Sequence, residues 1–435
     1  MTPAKAGSVG GALDWSGREL PVEVGPVAHG GHCVARHEGR VVFVRHTLPG
    51  ERVIARVTED RGGSYCRADA VEVLRAAPDR VAQPCPHARP GRCGGCDWQH
   101  ATPQAQRDLK AAVVTEQLER LGGRPGLAVT VEPAPGGSLG WRSRVRFAVT
   151  ADGTVGLHRH RSHDIEPVEH CPLATPAVDG VGIGMRRWPG AEAVEVVVSS
   201  SGDRALVVTP RPGARVAVPG LGAADDAAGG AAVLTQHARG GRTTRVRGHR
   251  AVREKALGRT FRVGAAGFWQ VHPAAAEMLA AAVVEALAPR PGESVIDLYA
   301  GAGLFAAALA PHVPGGRVVA VESDREAAGD AAYNLRDVGV PAAVEIGPAA
   351  QVLKRLSGDV DLVVLDPPRA GAGAPVVAQI AVRRPRAVAY VACDPASFAR
   401  DVSTFAGHGL HLVRVRAFDL FPMTHQVECV GLLQP

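Results

Sequence analysis

The chain has 435 residues, beyond the usual span of one domain, so two or three domains are expected. Hydrophobic residues make up 46%, too many for a disordered chain, while aromatics reach only 4%, so the cores must rest on Ala, Val and Leu. Lys plus Arg outnumber Asp plus Glu by 49 to 43, a formal charge of +6 that leans toward a polyanionic partner.

No run approaches the ~18 uncharged apolar residues of a membrane span, and the N-terminus lacks a basic-then-apolar leader. A cytoplasmic protein with no membrane partner is therefore expected. Residues 1–16 read as a poorly ordered tail. From 17 to 77 the text is short, Val-rich and alternating: PVEVGPVAHG, GRVVFVRHTLPG, ERVIARVTED and ADAVEVLR are strand-length runs between Gly or Pro turns. Four or five such strands predict a small OB-like barrel, a shape that often binds oligonucleotides. Arg36, Arg40, Arg45, Arg52 and Arg56 would supply it with positive charge, either toward RNA or simply toward solvent.

Residues 78–260 predict a mixed α+β central region. It opens on CPHARPGRCGGC, in which Cys85, Cys93 and Cys96 crowd together. Eight cysteines in a chain of this length do not make a disulfide scaffold, so ligation in a reducing compartment is the better reading. Cys171, in EHCPLA, is the natural fourth ligand, with His87 and His100 as alternatives; zinc and a four-iron cluster both accept four Cys. A helix from Pro103 to Leu121 follows, then strands near 141–150, 192–198 and 204–209, with 212–232 as a surface excursion.

The third part, 261–435, alternates strands and Ala-rich helices. SVIDLYAG, RVVAVES, DLVVLDPPR and AVAYVACDP each close a buried strand, which is the pattern of a doubly wound parallel sheet. LHLVRVRAFDLFP and HQVECVGLLQ are joined too tightly to be parallel, so they form an antiparallel terminal hairpin. That combination is the habit of class I S-adenosylmethionine methyltransferases, a Rossmann-like α/β fold.

Four motifs fall at the carboxyl edge of this sheet, where open α/β sheets bind ligands. In DLYAGAG, Gly301 and Gly303 let the backbone approach a nucleoside closely, and Glu322, ending the next strand, is placed for ribose hydroxyls. The same glycines also fit a loose nicotinamide fingerprint. In DPPR two prolines stiffen the turn and aim the Asp366 carboxylate. Cys393 follows another strand, as a nucleophile or as an inert packed thiol. Glu428 interrupts an apolar strand, which is costly unless it has a role or faces solvent.

Taken together, these residues resemble the bacterial uracil-C5 methyltransferases of 23S ribosomal and transfer RNA, over nearly the whole chain after residue 16. GHCVARHEGRVVFVRHTLPGERV is similar to their N-terminal TRAM domain, an OB-like RNA-binding barrel. CPHARPGRCGGCDWQH with Cys171 is similar to the family's [4Fe-4S] site. The resemblance of GFWQVHP implies a cofactor contact from Gln270, and that of DLYAGAGLF, VES and DPPR implies Tyr299, Glu322 and Asp366 in the S-adenosylmethionine pocket. ACDPASFARD implies Cys393 as nucleophile, and FPMTHQVECVGLL implies Glu428 as base. The chain departs from the pattern in a seven-residue first Cys gap, in Leu304 where Asn is frequent, and in Asp394 where SCNP is common.

On this resemblance the expected reaction is methyl transfer to C5 of a uridine, through a Cys393 adduct at C6 that Glu428 resolves by removing the C5 proton. The target nucleotide would flip out or come from a loop, and the enzyme is expected to act as a monomer. Two other readings are methylation of an exocyclic amine, which DPPR also suits, and a non-catalytic iron–sulfur RNA-binding protein.

Overall fold

In the computed structural model the described residues are 14–220, 231–236, 241 and 243–435. Five strands, β1 (Glu19–Glu23), β2 (Cys33–His37), β3 (Arg40–Arg45), β4 (Arg52–Asp60) and β5 (Tyr65–Arg75), form a sheet of order β1-β4-β5-β3-β2. Val53, Ala55 and Val57 alternate inward along β4, the two-residue period of a half-buried strand. The chain beyond β1 bonds back to β2, with Gly25 N donating to Val34 O at 2.7 Å and Val34 N to Pro26 O at 2.8 Å, which curls the sheet toward a barrel.

Most of the expected tail, residues 1–13, lies outside the described residues. Trp15 does not behave as a tail residue: it is 1% exposed in the barrel core. Its backbone N–H donates to Asp60 at 2.8 Å, and the Arg40 guanidinium lies 4.4 Å from its ring. An indole this large is driven into the only apolar niche its tether reaches. The barrel arginines also depart from expectation. Arg40 is forked onto Asp60, Arg56 pairs with Glu19, and Arg45 is buried between Asp69 and Asp97 at 3.9 and 3.7 Å. Arg40 and Arg45 serve the fold, while Arg36, Arg52 and Arg56 point outward.

Helix α1 (Pro103–Arg120) starts where Thr102 caps Ala105 N and Pro103 fits the first helical position. One flank, Ala105, Leu109 and Val113, packs into the barrel core; Val114 and Leu118 pack under the C-terminal sheet. Next comes β6 (Val131–Pro133). The central sheet contains β7 (Arg144–Val149), β8 (Val155–His158), β9 (Ile165–Pro167), β10 (Ala191–Val198), β11 (Arg204–Pro210), β12 (Ala232–Gln236) and β13 (Thr243–Arg247), in the order β13-β12-β11-β10-β7-β8-β9. A one-turn helix, α2 (Pro176–Asp179), bridges β9 and β10, and the hairpin β14 (Ala251–Ala256) and β15 (Arg259–Gly264) follows.

The last sheet is built from β16 (Ser294–Leu298), β17 (Arg317–Glu322), β18 (Ala342–Ile346), β19 (Leu362–Leu365), β20 (Ala387–Ala392), β21 (His411–Asp419) and β22 (Glu428–Gln434). Its helices are α3 (Ala275–Leu287), α4 (Leu304–Leu309), α5 (Arg325–Asn334), α6 (Ala349–Arg355), α7 (Ala374–Ala381) and α8 (Pro395–Ala406). The order is β18-β17-β16-β19-β20-β22-β21-β6, parallel through β20, with β21 and β22 antiparallel as expected. Two apolar layers sandwich it, one from α3 and α4, the other from α6, α7 and α8. Its eighth strand was not expected: β6, from the stretch assigned to the central region, runs parallel to β21 and covers its edge. Among the described residues no helix is long and apolar enough to cross a membrane.

Candidate active site and cysteine cluster

Strand register brings the two expected catalytic residues together. Ala392 pairs with Cys429 across antiparallel β20 and β22, which sets Cys393 across from Glu428. Glu428 is 5% exposed and Cys393 is half-buried. Asp366 follows β19 on the neighbouring parallel strand, half-buried, its N–H bonded to Leu298 O. Burial pushes the Cys393 thiol up to about 12, with Glu428 and Asp366 raising it further and Arg369 opposing them. Burial likewise raises Glu428, to which Asp366 adds and which Arg369 eases. Burial thus disfavours the charged forms of both Cys393 and Glu428, and Arg369 works the other way.

Rigid supports fix the turn after Asp366. Asp401 of α8 accepts the N–H of Ala372 at 2.7 Å and the hydroxyl of Tyr390 at 2.6 Å. Gly371 is required there, because a Cβ would lie 2.6 Å from the Asp401 carboxylate and its φ is +87°. Asp394 caps α8 through Ser397 N at 2.8 Å and meets His29 of the barrel at 2.9 Å. Burial works against its charge, yet those two bonds hold it down to about 2.

Around the first strand of the sheet the expected cofactor residues gather. Tyr299 sits at φ +61°, unusual for a bulky residue and characteristic of strained turns at sites. Glu322 accepts from Gly301 N at 2.8 Å and from Ser323 N and Asp324 N, locking the two loops that would face a nucleoside. Gln270 is buried in the Gly267–His272 segment beside Trp269, which packs on Phe261. Leu304, the departure from the family pattern, is 7% exposed in the core under α4.

Three contributors escaped the sequence reading. Arg369 supplies the positive charge near Cys393 and Glu428. Asp401 anchors the DPPR turn. Asp297, hidden inside DLYAGAG, is fully buried; Oδ2 accepts from Ala306 N at 2.8 Å, while Oδ1 has no partner. Burial raises it to about 8, and Asp366 and Glu322 add to the effect. Its position before the Gly turn was the signal available. Asp297, Asp366 and Glu322 are thus close enough to influence one another's titration.

The four expected cysteines also meet. Cys85, Cys93, Cys96 and Cys171 line one small pocket, none of them in a disulfide. Gln99 Nε2 donates to Cys96 Sγ at 3.1 Å and Gly95 N to Cys93 Sγ at 3.4 Å. Burial pushes Cys93 up to about 11, with Cys171 and Cys85 adding to it. Among the described residues no three His, Cys, Asp or Glu side chains are set to hold a single metal ion. His87 lines the pocket but is engaged by Glu166 at 3.0 Å; His100 instead meets Thr47 O of the barrel. The end of the Cys-rich loop reaches the segment before Glu428: Asp97 N and Trp98 N donate to Met423 O, and Asp97 Oδ2 meets His425 Nδ1 at 2.7 Å.

Comparison with known proteins supplies independent findings. Residues 16–71 match the family described as TRAM domain, 274–365 the Precorrin methyltransferase domain, and 350–435 tRNA (Uracil-5-)-methyltransferase. An RNA methyltransferase of Streptomyces avermitilis is 52% identical over 96% of this chain and 99% of its own. The 23S rRNA (uracil(1939)-C(5))-methyltransferase RlmD of Alkalilimnicola ehrlichii is 32% identical over 96% and 98%. Among solved structures, the Pyrococcus abyssi tRNA (uracil-54, C5)-methyltransferase in complex with S-adenosyl-L-homocysteine has a TM-score of 0.71 over 94% of this chain and 99% of that one. At 22% identity that likeness is one of fold.

Proposed function

The chain belongs to the RNA (uracil-5-)-methyltransferase family, and from that premise we propose that it transfers a methyl group from S-adenosylmethionine to C5 of a uridine in ribosomal or transfer RNA, with Cys393 as nucleophile and Glu428 as base. The observation that carries the assignment is the cross-strand placement of Cys393 against Glu428, beside Asp366 and Arg369. C5 of uracil is a weak nucleophile until C6 is substituted. Cys393 gives up its thiol proton to solvent, the thiolate Sγ adds to C6, and the ring electrons move to C5 and O4 as an enolate. Arg369 is the group here that favours the thiolate. When bound, S-adenosylmethionine supplies an electrophilic methyl group for C5. Glu428 then takes the C5 proton, the C5–C6 double bond re-forms and the Cys393–C6 bond breaks. A base whose ordinary value is raised by burial is better matched to this step near neutral pH than an exposed glutamate.

Gln270, Tyr299, Glu322 and Asp366 are the residues that would hold the cofactor, with Asp297 beneath them. For the cysteines we favour a [4Fe-4S] cluster. Support comes from four Cys donors around a shared pocket and two N–H···S bonds of the kind that tune cluster thiolates. The cluster would hold the loop that grips Met423 and His425, and free thiols throughout agree with a cytoplasmic setting.

The test uses RNA containing 5-fluorouridine, with S-adenosylmethionine and wild-type or Cys393→Ala protein. Fluorine cannot leave C5 as a proton, so wild type should give an RNA–protein band that survives a denaturing gel, and the variant none. Methyl transfer to ordinary RNA by Cys393→Ala would instead point to an exocyclic amine.

A further inference from the structure

Away from the carboxyl groups, a cavity of about 1170 Å³ opens between the central sheet and α5. The β13–β14 turn lines it with Arg250, the first turn of α5 with Arg325, and β15 with Arg262. Acids in its wall are already engaged: Asp203 is forked onto Arg253 at 2.8 and 3.0 Å, Asp330 meets Arg262 at 2.7 Å, and Glu326 accepts from Thr243. Tyr333 projects beside it, and the guanidinium carbons of Arg262 and Arg336 lie 4.4 and 4.9 Å from its ring, which fixes both groups in direction. Arg245, Arg247, Arg250, Arg325 and Arg336 are all exposed. No carboxylate among the described residues comes within 4.0 Å of any of the five; other exposed arginines, Arg36 and Arg52 among them, share that state, while Arg120, Arg355 and Arg414 have acidic partners. Arg250 and Arg325 line the concavity without an acidic partner, and Arg336 lies over Tyr333 of its wall, a basic setting that suits an anionic ligand.

We propose that this groove binds the sugar–phosphate backbone of the RNA substrate outside the nucleotide being methylated. Arg325 begins three residues after Glu322, so the groove adjoins the cofactor edge of the sheet, and RNA leaving the reacting centre on that side meets it. Planar guanidiniums suit phosphate oxygens, and contacts to phosphate position an RNA without reading its sequence. The proposal rests on the substrate being RNA.

A fluorescein-labelled, mixed-sequence 24-nucleotide RNA duplex, titrated by polarisation between about 50 and 250 mM KCl, tests it. Each phosphate contact steepens the plot of log affinity against log salt by about 0.9. Arg250→Ala/Arg325→Ala/Arg336→Ala should flatten the slope by about 2 to 3 and weaken binding at 150 mM by tens of fold, with S-adenosylmethionine binding by calorimetry unchanged. Arg120→Ala/Arg355→Ala/Arg414→Ala makes the same change in net charge elsewhere and should alter affinity less than about threefold. Equal losses in both triples, or an unchanged slope in the first, overturn the groove. With saturating 5-fluorouridine RNA the groove triple should still form the covalent band. A wild type that forms no band, while the groove triple alone loses affinity, would sink the uracil assignment and leave the groove standing.

Discussion

Asp297→Asn isolates the electrostatics of the cofactor pocket. Asn keeps an acceptor for Ala306 N and has the shape of the protonated acid, so the packing of β16 is preserved. What it removes is a proton equilibrium. Burial raises Asp297 to about 8 from 3.8, so between those values the folded protein holds a proton that the unfolded chain has released. The stability contributed by this group is therefore complete below about pH 4 and is lost as pH rises through 8. The slope is about 1.4 kcal/mol per pH unit, roughly 3.4 kcal/mol between pH 5.5 and 8.5 as a ceiling. Relaxation of the opened strand edge leaves about 2 kcal/mol, or 4–8 °C for a unfolding unit of 150–250 residues. Asp366 and Glu428 titrate in both proteins and cancel. Melting temperatures in a constant-ionic-strength buffer series should show the variant gaining on wild type by that amount across this window. Parallel curves would refute the buried, protonated state of Asp297.

Lys110, fully buried, bonds Asp419 at 2.5 Å and Phe421 O at 3.0 Å. Lys110→Met strands the Asp419 charge and should cost about 3–5 kcal/mol in chemical denaturation, most of it recovered in Lys110→Met/Asp419→Leu. Asp394→Ala removes the cap of α8 and should cost about 1 kcal/mol, while Asp394→Asn stays within a few tenths; equal losses would show that the His29 contact, not the cap, is what matters. Anaerobically purified protein should carry about four irons and four sulfides per chain, falling sharply in Cys96→Ser; zinc alone on metal analysis would replace the cluster assignment.

Much of the C-terminal sheet was legible because its strands are buried on both faces and read as unbroken Val-rich runs, each closed by a conspicuous polar residue. Cys393 and Asp366 stood out as polar residues just after apolar strands and Glu428 as one interrupting an apolar run, but their expected roles came from the family resemblance. Other features left no local trace. The three residues Val131–Pro133 are too few to show a period, so β6 was invisible until Ala417 and Val131 were seen side by side. Arg40 and Arg45 read like any surface arginine, and only the fold reveals Asp60, Asp69 and Asp97 beside them. Asp297 was masked by the glycines that follow it.

The interior placement of β22 has a consequence for biogenesis. During translation β20 and β21 emerge before the strand that must lie between them, and β6 waits from far earlier for β21. Until β22 arrives the sheet has a gap, Lys110 lacks its settled partner and must stay hydrated, and Met423 is not yet on Asp97 and Trp98. The five barrel strands emerge first, but α1, which completes their core, cannot finish docking until the Met423 segment is in place. Assembly is therefore a late, long-range event of the slow kind, and Glu428, the first residue of β22, comes into place in the same stroke. On the proposed mechanism, the nascent chain acquires its base only when the whole sheet is assembled.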